Sequence, residues 1–297
     1  MEKREITIDV PWGKLAIVLW GNENDQPVLS VHGKLDNAAT FNALIPLLPK
    51  YYFYICIDLP GHGKSDHFPA HLPIFTSSYL IVYKLVMDYF KKPKYIIMGH
   101  SYGGQLGLKF AQIYPSRVEK LIMFDTVHLF TMQAKYYAQE MENHIEEFVK
   151  TERKLQQNSA PQYTYEEAVK KLCQSRPSPL PAKAAEILLQ RMLKPVNDGK
   201  FQFSHDQRLK CFINPQHDSQ YAIETLKSAP VKCPVLIVFG LDNGGQRMVL
   251  RPILNHLKKL KNVRVEYLPG HHDIHLTDAD KVAPIVNEFL NYKTSKL

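Results

Sequence analysis

The pentapeptide Gly99-His-Ser-Tyr-Gly103 constrains this chain more than any other feature. It follows the apolar run Tyr95–Met98 and opens the amphipathic stretch Tyr102–Tyr114, so it must turn a strand directly into a helix. A turn that tight leaves no room for side chains at 99 and 103, and both positions are glycine. The geometry lifts the Ser101 hydroxyl above the strand end. It also gathers the first helical N–H groups, beginning with Tyr102, at the positive end of the helix dipole. Glycine-x-serine-x-glycine in a strand–turn–helix setting is the signature of a nucleophile elbow.

Such an elbow belongs in a sheet whose strands are joined by helices, and the chain alternates accordingly. Strands are expected over Glu5–Val10, Leu15–Trp20, Val28–His32, Phe53–Asp58, Tyr95–His100, Leu121–Asp125, Val235–Gly240 and Val263–Leu268. Helices are expected over Ala38–Leu48, Ser77–Phe90, Tyr102–Tyr114, Arg247–Lys259 and Ala279–Tyr292. The first two strands are close enough for an antiparallel start. The others need crossovers, which gives a mostly parallel, doubly wound eight-stranded sheet of the α/β class. Between Thr126 and Pro230 the rhythm breaks. No clear strand is visible there, only helical patterns over Met132–Gln156, Tyr165–Cys173, Ala182–Leu193 and Tyr221–Lys227, with the Pro-rich stretch Arg176–Pro181 among them. The expected organisation is a core of residues 1–126 plus 231–297 and an inserted helical cap or lid of residues 127–230, within reach of a 297-residue chain.

Composition removes several classes. The chain is 45% hydrophobic and 22% charged, an ordinary globular balance, and no apolar run approaches a membrane span. The Met-Glu-Lys-Arg-Glu start lacks the apolar region and cleavage site of a signal peptide, so a soluble intracellular protein is expected. Cys56, Cys173, Cys211 and Cys233 form no CxxC pair, which favours free thiols over a metal site. The formal charge of +8 is spread along the chain. Its densest cluster, Lys258, Lys259, Lys261 and Arg264, reads as a solvated face, and no nucleic-acid motif is present.

A serine nucleophile needs a base that exchanges protons near neutral pH, and imidazole does so without large tuning. Leu268-Pro-Gly-His-His-Asp-Ile-His-Leu276 lies between the last strand and the last helix, where the order serine, acid, histidine puts the base. His272 fits best, with His271 as its neighbour and His275 packed beneath or touching the cap. A metal reading of His271, His272, Asp273 and His275 lacks a ligand-spaced partner. For the acid, Asp242 in Phe239-Gly-Leu-Asp-Asn-Gly244 follows the seventh strand and is the first choice, although it sits one residue early for the common G-x-x-D form. Asp125, which ends the strand Leu121–Phe124, is the rival. Val31-His-Gly-Lys34 would supply an oxyanion donor from the Lys34 backbone N–H, paired with that of Tyr102, while His32 would orient the loop. In Asp58-Leu-Pro-Gly-His-Gly-Lys-Ser-Asp66 the aspartate Asp58 reads as structural.

With these residues in place the chain resembles the α/β-hydrolases, and more narrowly the animal serine hydrolase-like protein family. The likeness runs nearly end to end, through Val10-Pro-Trp-Gly13, Val31-His-Gly-Lys-Leu-Asp-Asn37, Leu44-Ile-Pro-Leu-Leu-Pro49, Leu121-Ile-Met-Phe-Asp-Thr126, Leu188-Leu-Gln-Arg191 and Asp206-Gln-Arg-Leu209. One departure is Lys34, where tryptophan is usual after His-Gly. The resemblance implies an α/β-hydrolase fold and a serine hydrolase that needs no metal, nucleotide or redox cofactor. The resemblance does not supply the substrate. The triad chemistry makes cleavage of a carboxylic ester or thioester through an acyl-enzyme the expected reaction, and the basic charge together with the C-terminal address makes a fatty acyl ester or acyl-CoA the expected substrate. Cap aromatics Phe130, Tyr136, Tyr137, Phe148, Phe201 and Phe203 are candidates for the acyl pocket. The alternative is a non-catalytic ligand-binding protein on the same fold. Ser295-Lys296-Leu297 matches a peroxisomal import address read by a receptor when it is free and C-terminal, which makes the peroxisome the expected location, with a cytoplasmic pool as well.

Overall fold

In the computed structural model the described residues are 1–157, 160–176, 178–211, 218–242, 248 and 250–291. The main sheet is built from β1 (Lys3–Val10), β2 (Gly13–Trp20), β3 (Gln26–Val31), β4 (Tyr52–Ile57), β5 (Tyr95–His100), β6 (Val118–Phe124), β9 (Val235–Gly240) and β10 (Val263–Leu268). Among the described residues it has eight strands in the order β1-β2-β4-β3-β5-β6-β9-β10. β1 and β2 pair antiparallel, as do β2 and β4, and every later pairing is parallel.

The central strands are buried on both faces, which is why they read as continuous apolar runs. Alternate residues of each strand feed opposite layers. Leu29, Ile55, Ile97, Leu121 and Ile237 pack with Tyr83 and Val86 of α1 (Thr76–Phe90), Leu106 and Phe110 of α2 (Tyr102–Ile113), and helix 251–257. Val28, Tyr54, Ile96, Ile122 and Leu236 face the other way, onto Phe41, Leu44 and the C-terminal helix Ala279–Asn291. The chain moves from β3 to β4 on one side, then crosses to β5 on the other. The carboxyl ends of β3 and β5 therefore border a topological switch point, where open α/β sheets form their crevices.

Between β6 and β9 lie α3 (Tyr137–Gln156), α4 (Tyr165–Gln174), α5 (Ala182–Met192) and α6 (Ser219–Ser228). Buried Ala168 and Leu172 of α4 and Leu188, Leu189 and Met192 of α5 make a small core of their own that also takes Leu276 from the opposite end of the chain. This insertion is not purely helical. β7 (Leu193–Pro195) and β8 (Phe201–Phe203) pair antiparallel around a turn in which Asp198 and Gly199 take positive φ of 60° and 67°. Asn197-Asp-Gly199 is a hairpin signal that a helical reading of the segment passes over.

Two expected helices differ. Ala38–Leu48 is broken into 3-10 turns at Ala38–Phe41 and Ile45–Leu47, because the Asn37 side chain caps Ala39 N–H and Pro46 has no N–H to carry a helix through. The expected helix Arg247–Lys259 is α7 (Arg251–Leu257), with residues 247 and 249 outside the described set. α8 (Ile274–Thr277) and α9 (Ala279–Asn291) are the last described elements. No described helix is long and apolar enough to cross a membrane.

Candidate active site

Ser101 caps α2 with φ 48° and ψ −116°, a conformation that L-residues adopt at a cost of about 1–3 kcal/mol. Its neighbours show why the turn must be this tight. A Cβ at position 103 would lie 2.1 Å from the Val31 carbonyl oxygen, and one at position 99 would lie 2.4 Å from the Gly104 nitrogen. Helix α2 is thus pressed onto the ends of β3 and β5 by the absence of side chains. The loop after β3 closes on the elbow in the same way. A Cβ on Gly33 would stand 2.8 Å from His100 Nδ1 and 3.2 Å from Ser101 Cβ. Lys34 follows within the Gly33–Asp36 turn, and Tyr102 is the first residue of α2, so the two expected oxyanion positions flank Ser101.

His272 meets Asp125. The imidazole Nδ1–H donates to Asp125 Oδ2 at 2.6 Å, and the other carboxylate oxygen, Oδ1, accepts the Gly240 N–H at 3.0 Å. Asp125 directly follows β6 with φ 47°, and the Asp125 N–H donates to Val238 O at 2.8 Å, which fixes its carboxylate at the edge of β9. Its side chain is 1% exposed and that of His272 14%, so the pair is largely screened from water. Burial works to lower the His272 pKa. The Asp125 hydrogen bond and charge outweigh it, helped by Asp273 and Asp36, and the imidazole ends above its ordinary value. His100, inside the elbow, holds the base loop from the other side: its Nε2–H donates to the His272 carbonyl at 3.1 Å, and the two rings lie 4.7 Å apart.

Asp242, the first choice from sequence, is not brought to His272. Its carboxylate accepts the exposed Gly270 N–H at 3.2 Å while its own N–H donates to Gly270 O at 3.0 Å. Those two bonds staple the loop after β9 to the base loop and turn the carboxylate onto backbone. The structure instead puts the rival, Asp125, against the imidazole.

The other candidates have identifiable work. His32 is fully buried, donates from Nδ1 to Gly33 O at 2.7 Å and accepts Leu59 N–H on Nε2 at 3.0 Å, joining the loops after β3 and β4. Burial holds it neutral by lowering its pKa. His271 is exposed, whereas His275 is buried against Phe124 and bonded to Thr40 Oγ1 at 2.7 Å, beneath the site rather than against the insertion. Asp58 is buried and accepts from Ala38 N, Lys64 N and the Arg191 guanidinium, a structural role. Of the aromatics, Phe130, Tyr136 and Tyr137 are exposed, while Phe203 packs edge-on against Tyr163 in the β7–β8 ribbon.

Asp36, His100 and Asp273 bring ligand-type atoms within 4.8 Å of one another, in reach of a single cation. A cation is already there. Arg176, from the loop between α4 and α5, bonds Asp36 and reaches Asp273 Oδ1 at 2.5 Å. The guanidinium occupies the carboxylate oxygens that a metal would need and offsets one of their two charges. Nothing in the pattern around His272 marked this cluster, because its members come from three distant segments.

Comparison with known proteins agrees with this architecture. The pattern that defines the alpha/beta hydrolase fold family matches residues 26–279. Serine hydrolase-like protein 2 of Homo sapiens is 30% identical over 302 residues, spanning 96% of this chain and 93% of the relative. The crystal structure of a hypothetical protein from Pseudomonas aeruginosa PAO1 superposes with a TM-score of 0.85 at 28% identity, over 97% of this chain and 99% of that one. A thioesterase domain from the curacin biosynthetic pathway shares the fold with a TM-score of 0.76 at 22% identity, over 96% and 99%.

Proposed function

The chain belongs to the alpha/beta hydrolase family, and from that premise we propose that it is a serine hydrolase cleaving carboxylic esters or thioesters through an acyl-enzyme, with Ser101 as nucleophile, His272 as base and Asp125 as the orienting acid. The observation that carries the proposal is the 2.6 Å bond from His272 Nδ1 to a buried carboxylate, made beside a strained serine elbow. With Nδ1–H fixed on Asp125, Nε2 is the ring nitrogen that takes the Ser101 proton as Oγ attacks the acyl carbon. The backbone N–H groups of Lys34 and Tyr102 receive the oxyanion, a contribution of about 3–4 kcal/mol for each such donor. The intermediate collapses, the carbonyl re-forms, and the alcohol or thiol leaves with the proton that His272 returns. Water, activated by the same imidazole, then attacks the Ser101 ester and releases the acid.

In this reading residues 127–230 form a cap over the acyl site, and fatty acyl esters and acyl-CoA thioesters are the substrates to try first. Residues 295–297 lie outside the described set, and peroxisomal import through Ser295-Lys296-Leu297 rests on the sequence alone.

A fluorophosphonate probe tests the proposal, because it phosphonylates serines activated in this way. Labelling of the wild-type protein and none of Ser101→Ala is expected. An unlabelled wild type that still binds acyl ligands would favour the non-catalytic reading of the fold.

A further inference from the structure

A buried charge cluster beside the relay has no part in the chemistry just described. Arg176 lies in the insertion, between α4 and α5. Asp36 lies two residues past Lys34, on the loop that carries an oxyanion donor, and Asp273 directly follows His272. The guanidinium bonds both carboxylates, one from each of its terminal nitrogens. A single side chain of the insertion therefore spans the loop after β3 and the loop after β10. The carboxylate side chains are almost wholly enclosed and the guanidinium nearly so, so none of the three charges has water as an adequate alternative partner.

We propose that Arg176 is a positioning residue for the hydrolytic site: through the insertion it holds the oxyanion loop and the base loop in one arrangement, and it leaves one net negative charge, not two, beside the imidazole. The proposal rests on the serine-hydrolase reading above.

Two features of the structure support it. First, the fork geometry suits the task. Arginine presents parallel donors in a rigid plane and bridges two carboxylates, whereas an ammonium offers a single point. Second, the cluster is coupled to the elbow. His100 Nδ1 stands 3.6 Å from Asp36 Oδ2 and its Nε2 4.0 Å from Asp273 Oδ1, while its ring packs 4.7 Å from His272 and 4.1 Å from His275. Burial opposes ionisation of Asp36, and the Arg176 charge reverses that, taking its pKa down to about 2. The charged or titratable groups facing His272 are therefore Asp125 from the end of β6, Asp273 on its own loop, Asp36 on the loop after β3, His100 from the elbow and His275 from α8, with Arg176 brought in by the insertion.

The sign of the effect follows. Asp36, Asp273 and Arg176 sum to −1. Without the guanidinium they sum to −2 over the pH range in which Asp36 stays ionised, which stabilises imidazolium, so the base is lost at a higher pH. Without Asp273 the sum is zero, and the base survives to a lower pH.

The experiment measures the second-order rate of fluorophosphonate labelling from acid to mildly alkaline pH for wild type, R176Q, R176K and D273N, with the melting temperature of each recorded. R176Q should label at least tenfold more slowly on the alkaline plateau, with its acid limb raised by on the order of one pH unit. D273N should move the limb down. R176K should return the limb to its wild-type position yet keep a lowered plateau, since it restores charge without the fork. An R176Q profile that matches wild type overturns the proposal. So does an R176Q plateau lowered with no displacement of the limb, which would make Arg176 a support of the fold only. Should R176Q not fold, D273N decides: a lowered limb supports the proposal and an unmoved one refutes it. A wild type that is not labelled at any pH refutes the hydrolase reading itself, a result distinct from all of these.

Discussion

Replacing Asp125 by asparagine asks more of the structure than removing a charge. The carboxylate uses both of its oxygens: Oδ2 accepts from His272 Nδ1 at 2.6 Å and Oδ1 accepts the Gly240 N–H at 3.0 Å. Asparagine has one acceptor oxygen and one NH2 group. If the oxygen stays on His272, the NH2 confronts the Gly240 N–H, leaving a buried donor unpaired at a cost of about 1–3 kcal/mol. If the oxygen serves Gly240, the NH2 donates to Nδ1, and the imidazole must carry its proton on Nε2. That tautomer cannot accept the Ser101 proton. Either way the proton relay suffers, and the second arrangement is favoured because it keeps every buried group bonded. The Ser-His-Asp template puts the loss from a wrong tautomer at about 10⁴ in kcat, or about 5 kcal/mol of transition-state stabilisation. Asp125→Asn should therefore depress p-nitrophenyl ester turnover and fluorophosphonate labelling by roughly that factor, with a melting temperature within a few degrees of wild type. Asp242→Asn should stay within about threefold of wild type, because it alters one exposed backbone bond to Gly270. A severe loss in Asp242→Asn alongside near-normal Asp125→Asn would refute the assignment and point to a rearranged loop in solution.

Other consequences are open to measurement. The His272 pKa lies above its ordinary value of 6.5, since the Asp125 bond and charge outweigh burial. The neutral base is the active form, so kcat/KM should fall with acid through a midpoint above 6.5, and the midpoint should drop in Asp125→Asn; a wild-type midpoint below 6.5 contradicts the pairing. Arg191→Ala strips the buried Asp58 carboxylate of a guanidinium partner at 2.7 Å, at a cost of about 3–5 kcal/mol, to be read from denaturant midpoints. An Arg191→Ala midpoint unchanged from wild type would mean that Asp58 is rehydrated in the native state. In a fluorescently tagged protein with a free C-terminus, deleting Leu297 should move signal from peroxisomes to cytosol; punctate signal in the deletion argues against import through this tripeptide.

Most of the sheet was legible in the sequence because its strands are buried on both faces and carry unbroken apolar runs such as Val235–Phe239. The elbow was legible for a different reason: the glycine-x-serine-x-glycine spacing falls at a strand-to-helix turn, where Gly99 meets the backbone of Gly103 and Gly104, although the pressure on Gly103 comes from Val31 at the end of β3. The acid was not fixed in this way. Asp125 and Asp242 both follow strands at the same sheet edge and both touch the base loop, and which one serves His272 depends on where each carboxylate is directed. Asp242 is spent on Gly270, and a positive φ turns Asp125 beneath the imidazole; neither fact is local. The Arg176 cluster was hidden further, because residues 36, 176 and 273 meet only once the insertion has folded back over the core. The β7–β8 ribbon is a milder case, with three-residue strands too short to show alternation and only Asn197-Asp-Gly199 to announce the turn.

Peptide mapping by mass spectrometry after fluorophosphonate treatment tests the central claim most directly, since it reports which atom the protein has made nucleophilic. One phosphonyl group per chain, carried by the peptide that contains Ser101 and lost in a folded His272→Ala variant, is the predicted result. An adduct on another residue, or an undiminished Ser101 adduct without His272, would contradict the account.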